Sequence, residues 1–465
     1  MHHVRNDERP FASLPIVVGI VADDGLSTEA IRGVDAVVNE IVRGIETKLP
    51  HTPVAVMREE QPPVESTDEA GCRAAYLARH RDLIVTVESG RNSSADSVVG
   101  QLVRFRRDGL DDAFTEGSQL DWAGRGPLER VDVDTRQATF VDTDPNTLSI
   151  WKHIDRFNDD AMRYVERPSE AGAGSKLEAA FDAADQLAQK FQRLTQRTTV
   201  GLLTVGIVAA LLYQGLSWTP LLIVVYVACL IAAYGFYVWS RRSHHEQRFQ
   251  DYRALAEALR VQRYWRSVDI EACVAEFYLR RQQSELEWIR RALATWHTWD
   301  DDQPVQAKPQ AEPLASRLER VTQEWVDGQC RYYERNTRRN RRANTWSSRA
   351  AQGLLVLGIV LFVFHWFGKT DHWSMPIAGL SFIAAALLQI YIQTCAFAEQ
   401  AQQYERMETL FAVAHDRLKR LLAEGKYDRC QSLLLELGKE ALAEHSDWLL
   451  LRRERPIRAP HPRIA

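Results

Sequence analysis

The residues best placed for chemistry lie in two polar loops, each following a short apolar, β-branched run. The first run, LPIVVGIV, ends in Gly19-Ile20-Val21-Ala22-Asp23-Asp24. Asp23 and Asp24 form an acidic pair that could hold a ribose or a metal ion. The competing reading is a solvated loop whose charge favours the N-terminus of the next helix. The second loop is Glu88-Ser89-Gly90-Arg91-Asn92-Ser93-Ser94. Gly90 permits close backbone approach, Arg91 can make a forked contact with a phosphate, and the Ser hydroxyls and following helix N–H groups can receive one. An ordinary strand–helix loop is the alternative. No Ser–His–Asp, P-loop or paired-carboxylate spacing occurs, so no catalytic residue is expected. His51, His80 and His153 lack metal-ligand spacing. The six cysteines, at 72, 229, 273, 330, 395 and 430, include no CxxC pair, so no metal site is expected and the thiols read as reduced.

The elements around these loops read as strand and helix in alternation. Leu14–Val21, Thr52–Met57 and Asp82–Val87 are strand-sized runs. Between them Ser27 can cap a helix from Thr28 to about Lys48, and Asp68–His80 and Ala95–Arg107 read as further helices. Such alternation implies a parallel sheet covered on both faces, with ligands gathering at the loops Ala22–Leu26, Arg58–Thr67 and Glu88–Ser94. Arg130–Val133 and Ala138–Val141 suit a β-hairpin around Asp134-Thr135, and Thr147–Val165 a helix. Residues 1–13 are expected to be disordered, residues 14–167 form this α/β domain, and residues 168–198 form a linker and an amphipathic entry helix.

Thr199–Trp239 then contains no charged side chain. A membrane span needs about 20 apolar residues, so this stretch suffices for two, broken at Ser217-Trp218-Thr219-Pro220. A second pair fills residues 350–396, its halves parted by Gly368–His372. The expectation is two transmembrane hairpins, at residues 199–240 and 350–396. A soluble core rarely keeps such long uncharged runs, because each helix there usually has one wet face. Between the hairpins lie a helical region (241–299, with His244–Thr295 read as one helical stretch), a linker (300–313) and a basic helix (314–349). Helices and a tail follow at 397–465, with a turn at Gly425-Lys426 and the last helix read as Tyr427–Leu442. His365 admits two readings, a functional ionisable group in a span or an interfacial residue beside Trp366.

Charge sets the expected orientation. Lys190, Arg193, Arg197, Arg241, Arg242, Arg338, Arg339, Arg341, Arg342 and Arg349 flank the hairpins, whereas the hairpin loops carry only Lys369. The positive-inside rule then places both termini and all long flanks in the cytoplasm. No signal peptide is expected, because residues 1–10 are polar and charged. The net charge of −4 argues against nucleic acid as a partner; the bilayer is the expected one, and the basic cluster reads as a topology determinant contacting anionic lipid. A basic helix, a hairpin and an amphipathic helix also occur twice. Setting Glu246–Gln262 beside Ala398–Ala414 aligns Tyr252 with Tyr404. Either a true repeat or two generic helices leaving a membrane would give this match.

YRALAEALRVQRYW (Tyr252–Trp265), FYLRRQQSELEWIRRAL (Phe277–Leu293) and LLLELGKEALAEHSDWLLLRRERP (Leu433–Pro456) resemble the SLATT family of paired-span bacterial membrane proteins of nucleotide-sensing defence systems. Residues 74–109, AAYLARHRDLIVTVESGRNSSADSVVGQLVRFRRDG, resemble the third-strand region of a SLOG-type, Rossmann-like domain. The chain departs from the SLOG pattern in having Gly19–Asp24 where a GxTGHR-like loop is usual. A further SGLAEGAD-like block is absent between Met57 and Asp68. The resemblance implies a degenerate Rossmann-like domain with a small parallel sheet, followed by an all-α four-helix transmembrane region with long cytoplasmic helices. It further implies a non-enzymatic, multi-pass effector of the bacterial inner membrane, acting as a homo-oligomer that perturbs or perforates it. Its ligand would be a nucleotide-derived messenger, bound around Gly19, Asp23, Asp24 and Glu88–Ser94, or else a partner protein. A membrane scaffold with a relic N-terminal domain is the alternative, and no other cofactor is implied.

Overall fold

The computed structural model describes residues 13–23, 26–59, 67–89, 94–110, 125–141, 146–165, 176–215, 222–278, 286–301, 312–368 and 373–454. Residues 1–12 of the expected disordered terminus, residues 168–175 of the first linker, residues 302–311 of the second and the tail beyond 454 lie outside these. The chain divides into two compact units. One comprises Met1–Leu187, Asp251–Arg263 and Glu271–Ala311; the other comprises Ala188–Gln250, Tyr264–Ile270 and Glu312–Ala465.

The first unit is built on a sheet. Strand β1 (Ile16–Ala22) is buried along nearly its whole length, as a β-branched run covered on both faces must be. Ser27 then accepts the Ala30 N–H at 3.2 Å and caps α1 (Thr28–Gly33). The expected single helix breaks at Val34, where the chain makes a tight turn just after Gly33, a weak helix former. Helix α2 (Asp35–Lys48) follows, then β2 (Val54–Arg58), α3 (Thr67–His80), β3 (Leu83–Glu88) and α4 (Val98–Asp108). The expected hairpin is present as β4 (Leu128–Asp132) and β5 (Ala138–Val141), paired antiparallel.

The hairpin is part of the same sheet. Strand β4 pairs parallel with β3 in the register Ile84↔Leu128, giving the order β2-β1-β3-β4-β5. Four strands are parallel and the edge strand is antiparallel. Helix α5 (Thr147–Tyr164) buries Ile150, Trp151, Ile154, Phe157 and Ala161. Its fully buried Asn158 accepts the Leu14 N–H at 2.8 Å and donates to the Leu14 carbonyl and the Thr52 hydroxyl, satisfying a polar side chain inside the core.

Two later segments complete this unit. One is the middle of α8 (His245–Ser267); the other is α9 (Glu287–Asp301), whose Trp288 is buried and stacks on His153 at 6.1 Å. The expected continuous helix over His244–Thr295 is interrupted after Ser267. Asp269 takes a left-handed backbone (φ 59°), and a single 3-10 turn follows at Val274–Glu276. No Gly or Pro marks this break, because the turn is held by side chains. Gln262 donates to the Ala272 carbonyl and accepts the Val274 N–H, and Arg317 forks onto the Asp269 carboxylate.

The second unit is helical. Helix α6 (Lys176–Gly215) runs from the amphipathic entry stretch into the first apolar block without a break, and α7 (Leu222–Ser243) forms the other half of that hairpin. Helix α10 (Leu314–Val321) passes through a π-helical turn, Thr322–Asp327, into α11 (Gly328–Trp366). Then come α12 (Ser374–Cys395), α13 (Phe397–Ala423) and α14 (Tyr427–Glu454). The last helix runs twelve residues beyond the expected Leu442. Among the described residues four helical stretches, Lys176–Tyr213, Leu222–Ser267, Leu314–Trp366 and Ser374–Ala423, are long and apolar enough to cross a membrane. Their apolar residues, such as Ile231, Val224 and Val356, are largely exposed in the isolated chain, as lipid-facing side chains are.

Element bounds recur. Helices α7 and α12 end 152 positions apart (243 to 395). Each ends at a left-handed, non-glycine residue, His244 (φ 51°) or Ala396 (φ 49°), which opens the next helix. These residues also lie 152 positions apart (244 to 396), the displacement that aligns Tyr252 with Tyr404.

Candidate functional site

In a parallel sheet of order β2-β1-β3, the connections leave β1 to opposite sides, so ligands are expected in the crevice beyond the C-terminal ends of β1 and β3. The two polar loops singled out in the sequence begin at that crevice. Strands β1 and β3 pair through Ala22↔Val87, and the Asp23 N–H donates to the Val87 carbonyl at 2.9 Å. Ser89 is half-buried just beyond β3. Asp24, Gly90, Arg91, Asn92 and Ser93 lie outside the described residues.

The other candidate residues have structural partners. Glu88 is buried; its carboxylate accepts the Thr86 hydroxyl at 2.8 Å and both Nε (3.1 Å) and Nη2 (2.5 Å) of Arg130 on β4. This forked pair joins the ends of β3 and β4. Gly19 sits in mid-strand, paired with Met57 and Ile84. A Cβ there would come within 2.9 Å of Arg81 Cγ. The missing side chain makes room for the buried Arg81 stem, whose Nε and Nη2 reach Glu59 at 2.8 and 2.7 Å. Ser94 closes its loop back on itself: its carbonyl accepts the N–H and the hydroxyl of Ser97. Helix α4 starts at Val98 rather than the expected Ala95, and Ser97 caps it by accepting the Gly100 N–H at 3.1 Å. Gly100 permits this packing, since a Cβ on it would lie 2.1 Å from the Ser94 carbonyl.

Sequence reasoning missed these arginine partners. Arg81 and Arg130 carried no local signal, because each meets its carboxylate only through sheet pairing. It also missed a buried polar group at the opposite end of the sheet. There the Asp82 carboxylate, completely buried, accepts the Val17 N–H at 2.9 Å. Burial pushes its pKa up to about 6; the Val17 N–H, Arg291, Arg106 and Thr295 oppose that rise. Two of these, Arg291 and Thr295, lie on α9.

A cavity of about 110 Å3 lies between α4 and the β4–β5 hairpin, lined by Val103, Leu128, Val141 and the arginines 106, 107 and 130. Drug-sized ligands occupy roughly 300–1,000 Å3, so this apolar space is too small for a nucleotide. Its arginines are engaged with the Arg81 carbonyl, Asp108 and Glu88 respectively. Among the described residues no group of three or more His, Cys, Asp or Glu side chains is placed to hold a metal ion.

In the second hairpin His365 Nδ1 lies 2.8 Å from the Ser374 hydroxyl, joining the end of α11 to the start of α12 beside the exposed Trp366 and Trp373. Gly358 lets the Phe382 ring of α12 approach α11 within 2.8 Å of where a Cβ would stand. Below the hairpin, Trp325 of the π turn stacks on Tyr264 at 5.2 Å and meets Phe411 of α13 edge-on. No curated protein and no solved structure matches the chain. One family does match, over the segment that holds this hairpin, its π turn and the helices that follow: residues 322–448 fit the model of the SMODS and SLOG-associating 2TM effector domain 1.

Proposed function

We propose that the chain is a non-enzymatic membrane effector of a bacterial defence or signalling system. Its sheet unit, a degenerate SLOG-type domain, receives a nucleotide-derived ligand or a partner protein at the β1/β3 crevice. Its four spans assemble with other copies in the inner membrane, termini in the cytoplasm, and perturb or perforate it. The observation that carries this reading is the match of residues 322–448 to a 2TM effector domain, on a chain with four membrane-length apolar helices. Small residues in the spans, including Gly201, Gly206, Gly358 and Ala384–Ala386, allow close helix packing and rearrangement. The test is dye and ion leakage from liposomes carrying the full chain, with and without cyclic and linear signalling nucleotides. Nucleotide-dependent leakage, lost in Arg91→Ala, supports the reading. Absence of leakage with every nucleotide, together with no thermal shift, overturns it.

A scaffold whose N-terminal domain is a relic binding a protein is the second reading. It is favoured by Glu88 and Gly19 being engaged with Arg130 and Arg81, which leaves both candidate residues in structural contacts.

A further inference from the structure

The two hairpins are copies of one unit. Arg197, Gly201-Leu202-Leu203 and Gly206-Ile207-Val208 recur as Arg349, Gly353-Leu354-Leu355 and Gly358-Ile359-Val360, each residue displaced by 152 positions (197 to 349, 208 to 360). The ends of α7 and α12 (243 and 395), the starts of α8 and α13 (245 and 397) and the left-handed residues His244 and Ala396 keep the same displacement. No net insertion or deletion therefore separates the copies between Arg197 and Tyr252. Residues 176–267 repeat a two-span pattern that the family match covers only in its second occurrence.

The copies diverge after the left-handed residue. In α13 one stripe is buried: Ala401, Met407, Phe411, Ala414 and Leu418. In α8 burial runs all round the helix, through Asp251, Tyr252, Ala254, Leu255, Ala256, Ala258 and Leu259. A helix buried all round lies inside a core, whereas a striped one lies on its surface. Tyr252 donates its hydroxyl to the buried Asp160 of α5 at 2.5 Å, with its ring edge-on to Phe157 at 5.5 Å. Arg253 pairs with Asp185 of α6 at 3.3 Å, and Arg260 and Arg263 lie over the Phe181 ring at 5.4 and 4.7 Å. The equivalent tyrosine, Tyr404, instead meets Tyr332 and Tyr333 of its own copy's entry helix, at 6.3 and 5.8 Å.

We infer that the first two-span copy is the input copy: the segment Asp251–Arg263 of its outgoing helix is built into the sheet unit, and through it that unit acts on the membrane region. The second copy keeps its outgoing helix for itself. Covalent continuity supplies the route, because the clasped Tyr252 follows the left-handed His244 by two helical turns within one helix. Naming this copy the input rests on the sheet unit being the sensing unit, but the test needs no ligand.

The test is hydrogen exchange of the full chain in nanodiscs, read in the segments 240–250 and 392–402 that bracket the two left-handed residues. Tyr252→Phe and Arg253→Gln should each speed exchange in 240–250 about tenfold, by loosening the clasp that closes local opening, and leave 392–402 unchanged. Tyr404→Phe should leave 240–250 unchanged. Arg253→Gln, which alters a half-exposed pair, keeps the test decisive should Tyr252→Phe fail to fold. Equal changes in both segments, or no change in 240–250, would overturn the inference. Loss of nucleotide-dependent leakage with the exchange result intact would instead remove the sensing reading alone.

Discussion

Helices α8 and α13 occupy the same place in two copies of one pattern, yet they have opposite surroundings. Both begin at a left-handed residue, and both carry a tyrosine eight positions on. Helix α8 has alanines at 254, 256 and 258, all fully buried, whereas α13 has Arg406, Glu408 and Leu410 at the equivalent positions, none of them buried. Small residues let neighbouring elements close on every side; charged ones keep a face in water. Side-chain size at these three equivalent positions, with charge at 406 and 408, matches the core surroundings of α8 and the surface face of α13.

The sharpest way to break this comparison is at its largest contact. Trp265 of α8 is fully buried; its indole N–H donates to the Leu434 carbonyl of α14, and Gly438 leaves space for the ring. Trp265→Ala should cost roughly 3–5 kcal/mol in denaturant unfolding of the detergent-solubilised chain. Arg417 is its exposed equivalent in α13, and Arg417→Ala should stay within about 0.5 kcal/mol. Similar losses from both variants would abolish the distinction.

Next in size is the pH dependence of the unit that holds the middle of α8. Asp82 titrates at about 6 in the folded chain against an ordinary 3.8, so the folded state binds its proton more tightly. The contribution of this group to stability is therefore full below pH 3.8 and falls as pH rises towards 6. Asp82→Asn removes that dependence. Relative to wild type the variant should gain about 2 kcal/mol between pH 4 and pH 7, at 1.36 kcal/mol per pH unit of pKa shift. Thermal unfolding followed at both pH values checks this, and a pH-independent difference would exclude a buried, protonatable Asp82.

Smaller effects test the alanines and the surface. Ala254→Leu should overpack α8 and cost about 1–3 kcal/mol, while Arg406→Leu at the matching site of α13 should change melting by no more than about 0.5 kcal/mol. The smallest effect belongs to α13's tie to α11, the exposed ion pair of Arg341 and Glu405 at 2.6 Å. Arg341→Ala should lose about 0.2–1 kcal/mol, and less at high salt. A larger, salt-insensitive loss would mean that α13 is clasped as tightly as α8.

What could be read from the sequence was local or periodic. Ser27 announced its helix, the β-branched runs announced β1 to β3, and the uncharged blocks announced both hairpins. What could not be read depended on distant partners. The pairing of β4 with β3 has no local signature, so the sequence showed a hairpin but not its place in the sheet. The break after Ser267 is imposed by Gln262 and by Arg317, far along the chain, on a stretch with good helix formers. At the candidate site the loops were located from strand ends, but Glu88 and Gly19 are explained by Arg130 and Arg81, residues that nothing nearby connects to them. The alignment of Tyr252 with Tyr404 was legible as spacing; that the two side chains meet different neighbours was not.

The π turn at Thr322–Asp327 has one more consequence. A π turn accommodates an additional residue, and each residue advances an α-helix by about 100°. Helix α10 therefore enters α11 out of phase, and the turn absorbs the difference. Its first residue is also where the matched domain begins. Deleting one residue there would close the turn into ordinary helix and swing the buried Leu318 and Val321 around the axis, away from the core they now fill. The turn acts as a splice between two lengths of helix wound to different starting points, and it lets the upstream piece keep its own facing while the downstream domain keeps its own.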